Sequence, residues 1–421
     1  MTAHWRWALG QITRRVWFRA SLFSVLAVVT ACLGIWLSPF IPADIPAQIG
    51  SDAVDNILGI IASSMLTVTT FSLSTMVAAY SAATSNVTPR ATKLIMEDST
   101  TQTVLSTFIG SFLFSLVGII VLSTGAYGDR GRVVLFAVTI LVVVFIVVTL
   151  LRWIDHLSRL GRVTETTQRV EAVAIAALRR RRDAPYLGGR ARADGGAAPS
   201  ERGREIAAGD IGYIQHVDMT ALSAIAERGG GEIRLDAIPG TFVDPTRALA
   251  TSYGLSGEDD AQRIRACFTI GDVRSYDQDP RFGLSVLTEI ASRALSQSIN
   301  DPGTAIDVIG RALRALAVWA EPPSRDVELA YSRIHVPAIT VADLFEDVFG
   351  PLSRDGAALL EVGIRLQKTC LTLARLGRED FAVEARRHSR LSLARAEAAL
   401  VLDEDKAVLR SLAAEVAATQ R

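Results

Sequence analysis

Four long apolar stretches crowd into the first 155 residues of this 421-residue chain, and they constrain its fold more than any other feature. They run from about Phe18 to Pro39, Asn56 to Tyr80, Val104 to Tyr127 and Val133 to Trp153. Each is long enough to cross a hydrocarbon layer of about 30 Å, which takes roughly 20 helical residues. The first is too long and too bulky for a signal peptide and leads into three further spans, so it reads as a retained helix. The expected fold is therefore an α-helical membrane domain of four transmembrane helices over residues 1–155, followed by a soluble α+β region. The chain as a whole is 49% hydrophobic, an average that hides this division.

Charge placement gives an orientation. Arg6, Arg14, Arg15 and Arg19 precede the first span, whereas the loop through Pro42, Asp44, Pro46, Asp52 and Asp55 carries no Lys or Arg. Arg90 and Lys93 lie between spans two and three, and Arg152, Arg159, Arg162 and Arg179 to Arg182 follow span four. Positive residues collect on the cytoplasmic side, so both the N-terminus and the C-terminal region are expected in the cytoplasm. The turn holding Asp129, Arg130 and Arg132 is the exception and is expected outside. Trp5, Trp7, Trp17, Trp36 and Trp153 sit near span boundaries, as interfacial anchors do.

The second span is unusual. Ser63, Thr67, Thr70 and Ser74 follow at steps of four, three and four and share one helical face. Such a stripe either packs against another helix, where small hydroxylated residues allow close approach, or lines a polar pore. Ser106, Gly110, Ser111 and Ser115 make a small-residue surface in span three, which reads as a packing face. No Asp, Glu, Lys, Arg or His falls well inside any span. Proton relays, charge-coupled transporters and voltage sensors need such residues, so those classes are disfavoured and a passive pore is not.

Beyond Trp153 the helix is expected to continue into the cytoplasm over 156–185 through Leu157, Leu160, Val163, Val170 and Ile175. The run Arg179–Arg180–Arg181–Arg182 suits anionic headgroups or a solvated flank. Residues 186–209 are rich in Gly, Ala, Arg and Ser and read as a flexible linker. Residues 210–275 show alternating strands and turns, including Gly212 to Val217, Glu232 to Ala237 and Arg263 to Ile270, and suggest a small β-rich module, a barrel or sandwich. Residues 276–421 read as mainly helical, with a strand pair around Val327 to Ile339.

Four stretches are distinctive: Ser85-Asn86-Val87-Thr88-Pro89-Arg90; Gly212-Tyr213-Ile214-Gln215-His216-Val217-Asp218; Pro239-Gly240-Thr241-Phe242-Val243; and Gln278-Asp279-Pro280-Arg281-Phe282-Gly283 running to Ser298-Ile299-Asn300-Asp301-Pro302-Gly303-Thr304-Ala305. In order and spacing they resemble the bacterial membrane family catalogued as domain of unknown function 2254. The resemblance implies a multi-pass protein of the bacterial inner membrane and supplies neither an activity nor functional residues.

There is no GxxxxGK[ST] phosphate loop, GxGxxG after a strand, HExxH or GxSxG. The five histidines, His4, His156, His216, His335 and His388, are scattered, and Cys32, Cys267 and Cys370 lack metal-ligand spacing. No catalytic residue, metal site or cofactor is expected, and a net charge of zero points to no nucleic-acid partner. Asp277, Asp279, Asn300 and Asp301 are the candidates for a cytoplasmic ligand site, against a reading in which Asp279 precedes one helix and Asn300 and Asp301 cap the next. Two non-enzymatic functions remain. One is a homo-oligomeric, channel-like protein for an ion or small solute, with a cytoplasmic regulatory region. The other is a membrane-tethered scaffold or sensor whose cytoplasmic domain binds a protein or small ligand.

Overall fold

The computed structural model describes residues 21, 22, 25, 29, 51–96, 98–124, 129–159, 162–192, 203–255, 257, 259–324 and 328–419. Contacts divide the chain after Thr166 into two compact units.

In the first unit three helices are long and apolar enough to cross a membrane, over Ala53–Ala82, Thr100–Ser123 and Arg132–Ser158. They belong to α1 (Ser51–Asn86), α3 (Ser99–Ser123) and α4 (Asp129–Arg159), with the short α2 (Pro89–Met96) between the first two. The first expected span, Phe18 to Pro39, lies outside the described residues except at positions 21, 22, 25 and 29, which are helical. Asp129, Arg130 and Arg132 begin α4 instead of forming a separate turn.

Helix α3 starts earlier than hydropathy alone suggests because Asp98 caps it, accepting from the Thr101 amide at 2.9 Å. A carboxylate there satisfies an otherwise orphaned N–H and suits the helix dipole. The same carboxylate meets His156 of α4 at 3.1 Å, and Thr101 Oγ1 lies 3.2 Å from the same ring nitrogen. Ser106, Gly110, Ser111 and Ser115 are all buried, as expected of a packing face. Approach is close there: a Cβ added at Gly118 would lie 3.0 Å from Leu58 of α1. Trp153 is 2% exposed and donates to Ser72 Oγ at 3.0 Å, so it ties α4 to α1 from within the bundle instead of anchoring at its surface. Leu141, Val144, Val148 and Leu151 leave α4 with an outward apolar face suited to lipid.

The expected continuous helical extension is interrupted: α4 ends at Arg159 and α5 (Val163–Asp183) is a separate helix. Helix α5 belongs to the core of the second unit. A Cβ on Gly283 would collide with Ala174, and Glu171 holds Arg311 at 2.7 Å.

Two sheets follow, not a single barrel. The larger has the order β1-β8-β4-β6-β2, formed by β1 (Gly189–Ala191), β2 (Arg204–Ala207), β4 (Glu232–Leu235), β6 (Ala248–Tyr253) and β8 (Tyr331–Val336). Its β1-β8 and β8-β4 pairs are parallel and the rest antiparallel. The smaller sheet, β5-β3-β7, consists of β3 (Gly212–Val217), β5 (Phe242–Val243) and β7 (Phe268–Gly271), all antiparallel. Helix α6 (Met219–Gly229), capped by Asp218 and ended by left-handed Gly230, packs Leu222, Ile225 and Ala226 into the shared core. Strands β1 and β2 come from the stretch whose composition reads as linker, and β8 is a single strand where a pair was expected around Val327 to Ile339, its neighbours being β1 and β4. The Arg263 to Ile270 stretch divides into α7 (Asp260–Arg265) and β7, because its early residues bury only Ile264.

The remaining helices form a bundle: α8 (Pro280–Ala294), α9 (Pro302–Ala320), α10 (Val341–Asp355), α11 (Leu360–Ala374), α12 (Glu379–Ala399) and α13 (Asp403–Ala418). Pro280 and Pro302 stand in first turns, where a missing N–H does no harm. Thr340 and Asp343 close a capping box on α10.

Candidate functional site

On α1, Ser63, Thr67, Thr70 and Ser74 are all exposed. The buried face is the opposite one, carrying Val54, Leu58, Ile61 and Met65. Three of the hydroxyls bond to their own helix: Ser63 to the Gly59 carbonyl at 3.0 Å, Thr67 to Ser63 at 2.9 Å and Thr70 to Leu66 at 2.9 Å. The structure lengthens the stripe beyond what the sequence reading picked out. Asn56, Gly59 and Ser81 share the same arc, about 80° wide at 3.6 residues per turn, although the exposed apolar Val77 also falls on it between Ser74 and Ser81, and a Cβ on Gly59 would meet nothing within 4 Å. From Asn56 to Ser81 the row is roughly 38 Å long at 1.5 Å per residue, enough to cross the bilayer. The missing signal was periodicity carried through a Gly and an Asn, which a search for hydroxyls alone passes over.

The four soluble candidates do not form one site. Asp277 and Asp279 precede α8 and Asn300 and Asp301 follow it, so a 15-residue helix, about 22 Å, separates the pairs. Asp301 caps α9, accepting from the Thr304 amide at 3.0 Å and its hydroxyl at 2.6 Å. The Thr304 hydroxyl bond, with the amide bond after it, holds that carboxyl below its ordinary value. Asn300 takes a left-handed φ of 48°, which an Asn side chain tolerates, and so turns the chain from α8 into α9. Asp277 is exposed and bonds to Ser275 at 3.1 Å.

Asp279 is the buried member, 2% exposed. Its Oδ1 accepts from the Arg281 and Phe282 amides at 3.1 and 3.2 Å, capping α8. Arg274 grips it with Nε at 2.7 Å and Nη2 at 3.0 Å. The motif stretches meet around this carboxylate. A Cβ on Gly240, whose φ is 93°, would fall on its oxygens, so the turn demands glycine. The Gly240 amide donates to Ile214 of β3 at 2.8 Å, and Gln278 brackets Val217 at 2.9 and 3.3 Å. Arg281 reaches away to Asp347 at 2.7 Å and Asp343 at 3.0 Å on α10.

Arg181 completes the cluster. The basic run splits: Arg179 and Arg180 are exposed, whereas Arg181 is 3% exposed, with no hydrogen bond from its three nitrogens. Burial pulls its pKa down to about 10, and the nearby Asp279 charge opposes that fall. The cluster as a whole balances three guanidinium groups, Arg181, Arg274 and Arg281, with three carboxylates, Asp279, Asp343 and Asp347. It is a charge-neutral joint between β-strands and helices, and its anion is built in as Asp279.

Two clefts open on the helical bundle. The larger, about 1170 Å³, is lined by Arg182, Trp319, Pro322, Ile339, Val383 and Glu384, among others. The smaller, about 570 Å³, lies between α8 and α10 and is lined by Ser285, Thr288, Ser292, Glu346 and Asp347. Among the described residues no group of three His, Cys, Asp or Glu side chains is placed to hold a metal ion.

A family model described as a predicted membrane protein, domain of unknown function 2254, matches residues 13–372. The chain belongs to that family. Uncharacterised proteins of Mycobacterium bovis and Mycobacterium tuberculosis are 26% identical to it over 262 residues, covering 60% of this chain and 50% of theirs. The chain thus spans about half the length of these curated relatives. No solved structure matches it. The motif joint at Asp279 lies inside the family match, whereas α12 and α13 lie beyond its end.

Proposed function

We propose that this family member is a homo-oligomeric inner-membrane protein that passes a small solute passively along the polar stripe of α1, with its C-terminal region acting as a cytoplasmic regulatory domain. The observation that carries this reading is the exposed hydroxyl row Ser63, Thr67, Thr70 and Ser74, whose arc continues to Asn56 and Ser81 and so runs the length of a bilayer crossing. Ser63, Thr67, Thr70 and Ser74 face away from the side of α1 that is buried in the bundle, so copies arranged around an axis would enclose them. The hydroxyls point to a class of solute. A Ser or Thr whose proton is held by its own helix carbonyl presents only oxygen lone pairs outward. A wall of acceptors favours water and small cations over anions.

A second reading, a membrane-tethered sensor without transport, is favoured by the two clefts of the helical bundle. The readings part in a flux experiment. Purified protein in liposomes should pass small cations, and Thr70→Trp should abolish the flux while leaving the oligomer intact. Absence of flux for potassium, sodium, chloride and glycerol would favour the sensor.

A further inference from the structure

His388 of α12 is 1% exposed and packs against Phe345 and Phe349, with Phe381 beyond them against Phe345. Its ring centroid is 5.8 Å from that of Phe345 and 5.7 Å from that of Phe349. Such packing would hold a phenyl ring as well. The imidazole differs in its polar ring nitrogens: Nε2 has no hydrogen bond, yet lies 3.8 Å from Glu346 Oε2 of α10 and 3.8 Å from Glu384 Oε2 of α12. That separation is too long for a hydrogen bond and is closed by a movement of about 1 Å. Half-exposed Arg387 meanwhile holds both carboxylates, with Nη1 at 3.1 Å from Glu384 and Nη2 at 3.6 Å from Glu346.

We propose that His388 is a proton-operated latch between α10 and α12: on taking up a proton, its ring draws in Glu346 and Glu384 and releases Arg387. A neutral ring gives the carboxylates little reason to leave Arg387. A charged one, in a water-poor pocket, competes with that guanidinium directly. The charges that bear on the ring are Glu346 from α10 and Glu384, Arg387 and Arg395 from α12; α11, packed against the same helix, brings none. Burial sets the ring below its ordinary pKa, with Glu346 and Glu384 opposing that fall and the two arginines adding to it. Glu384 lines the larger cleft and Glu346 the smaller, so a change of latch state alters a wall of both. The latch joins α10, inside the family match, to α12, which lies past its end at residue 372.

The test uses the full protein in nanodiscs with ¹³C-labelled histidine, whose His388 signal is the one lost in His388→Gln. Its midpoint should lie below 6.5. It should fall further in Glu346→Gln and in Glu384→Gln, each with at least a threefold loss of proton affinity, and rise in Arg387→Gln. Spin labels at exposed positions 354 and 383 should change separation between pH 7.5 and pH 5 in the parent, and stay fixed in His388→Phe. A midpoint indifferent to both Gln substitutions, or a separation that responds equally without the imidazole, would leave His388 a packing group and overturn the proposal.

Discussion

Replacing Asp279 with alanine removes the one carboxylate that both caps α8 and neutralises the buried side of the motif joint. Two terms add. Loss of the cap, which satisfies the Arg281 and Phe282 amides, costs about 1 kcal/mol. Breaking the ion pair with Arg274, itself only 19% exposed, while leaving Arg181 uncompensated, adds about 3–5 kcal/mol. For a unit of the size of residues 167–421, each kcal/mol moves the thermal midpoint by roughly 2–4 °C, so the total predicts a fall of about 10–20 °C. Far-UV circular dichroism of the full protein in detergent, with denaturant unfolding beside it, measures this. Asp279→Asn separates the terms, because an amide oxygen still caps the helix while the charge is gone; it should show most of the loss. A midpoint within about 2 °C of the parent in Asp279→Ala would refute the claim that this carboxylate holds the joint together.

Gly240→Ala should destabilise the same unit by about 2–4 kcal/mol, since the methyl meets Asp279 and the backbone sits at a φ of 93°; denaturant midpoints check it. Asp301→Ala should cost about 1 kcal/mol at neutral pH. Because its carboxyl is lowered in the folded state, that contribution is present above the ordinary value of 3.8 and is lost as pH falls through the lowered one. Parent and variant should therefore converge as the pH is taken below the ordinary carboxyl value, as a pH series of melts reveals. Trp153→Phe removes the bond to Ser72 and should weaken the bundle by about 0.6 kcal/mol, measured by unfolding in mixed micelles.

Much of this fold was legible because it is written in local chemistry. Apolar length marked the three helices that the structure describes as candidate spans, and Asp-Pro pairs marked the starts of α8 and α9. The small residues of α3 announced a packing face. What stayed hidden was long-range. Nothing in Gly189–Ala191 or Arg204–Ala207 distinguishes a strand from a linker until Tyr331–Val336 and Ala248–Tyr253 arrive to pair with them. Trp153 reads as an interfacial anchor until Ser72, 81 positions earlier, turns out to be its acceptor. The basic run likewise reads as a headgroup site or a solvated flank. Its periodicity assigns Arg181 to the face that α8 covers, a fact that depends on a partner helix about 100 residues further along.

The most direct test of the proposed conduit is a cysteine scan of α1 in reconstituted protein, read by reaction with a membrane-impermeant thiol reagent. Substitutions at Ser63, Thr67, Thr70 and Ser74 should react, while Ile60, Leu66, Phe71 and Leu73, exposed on the flanking arcs, should not. Reaction that peaks with the helical period of the polar row supports a water-filled path along it. Uniform protection of all eight positions would place the stripe against lipid or protein and contradict the account.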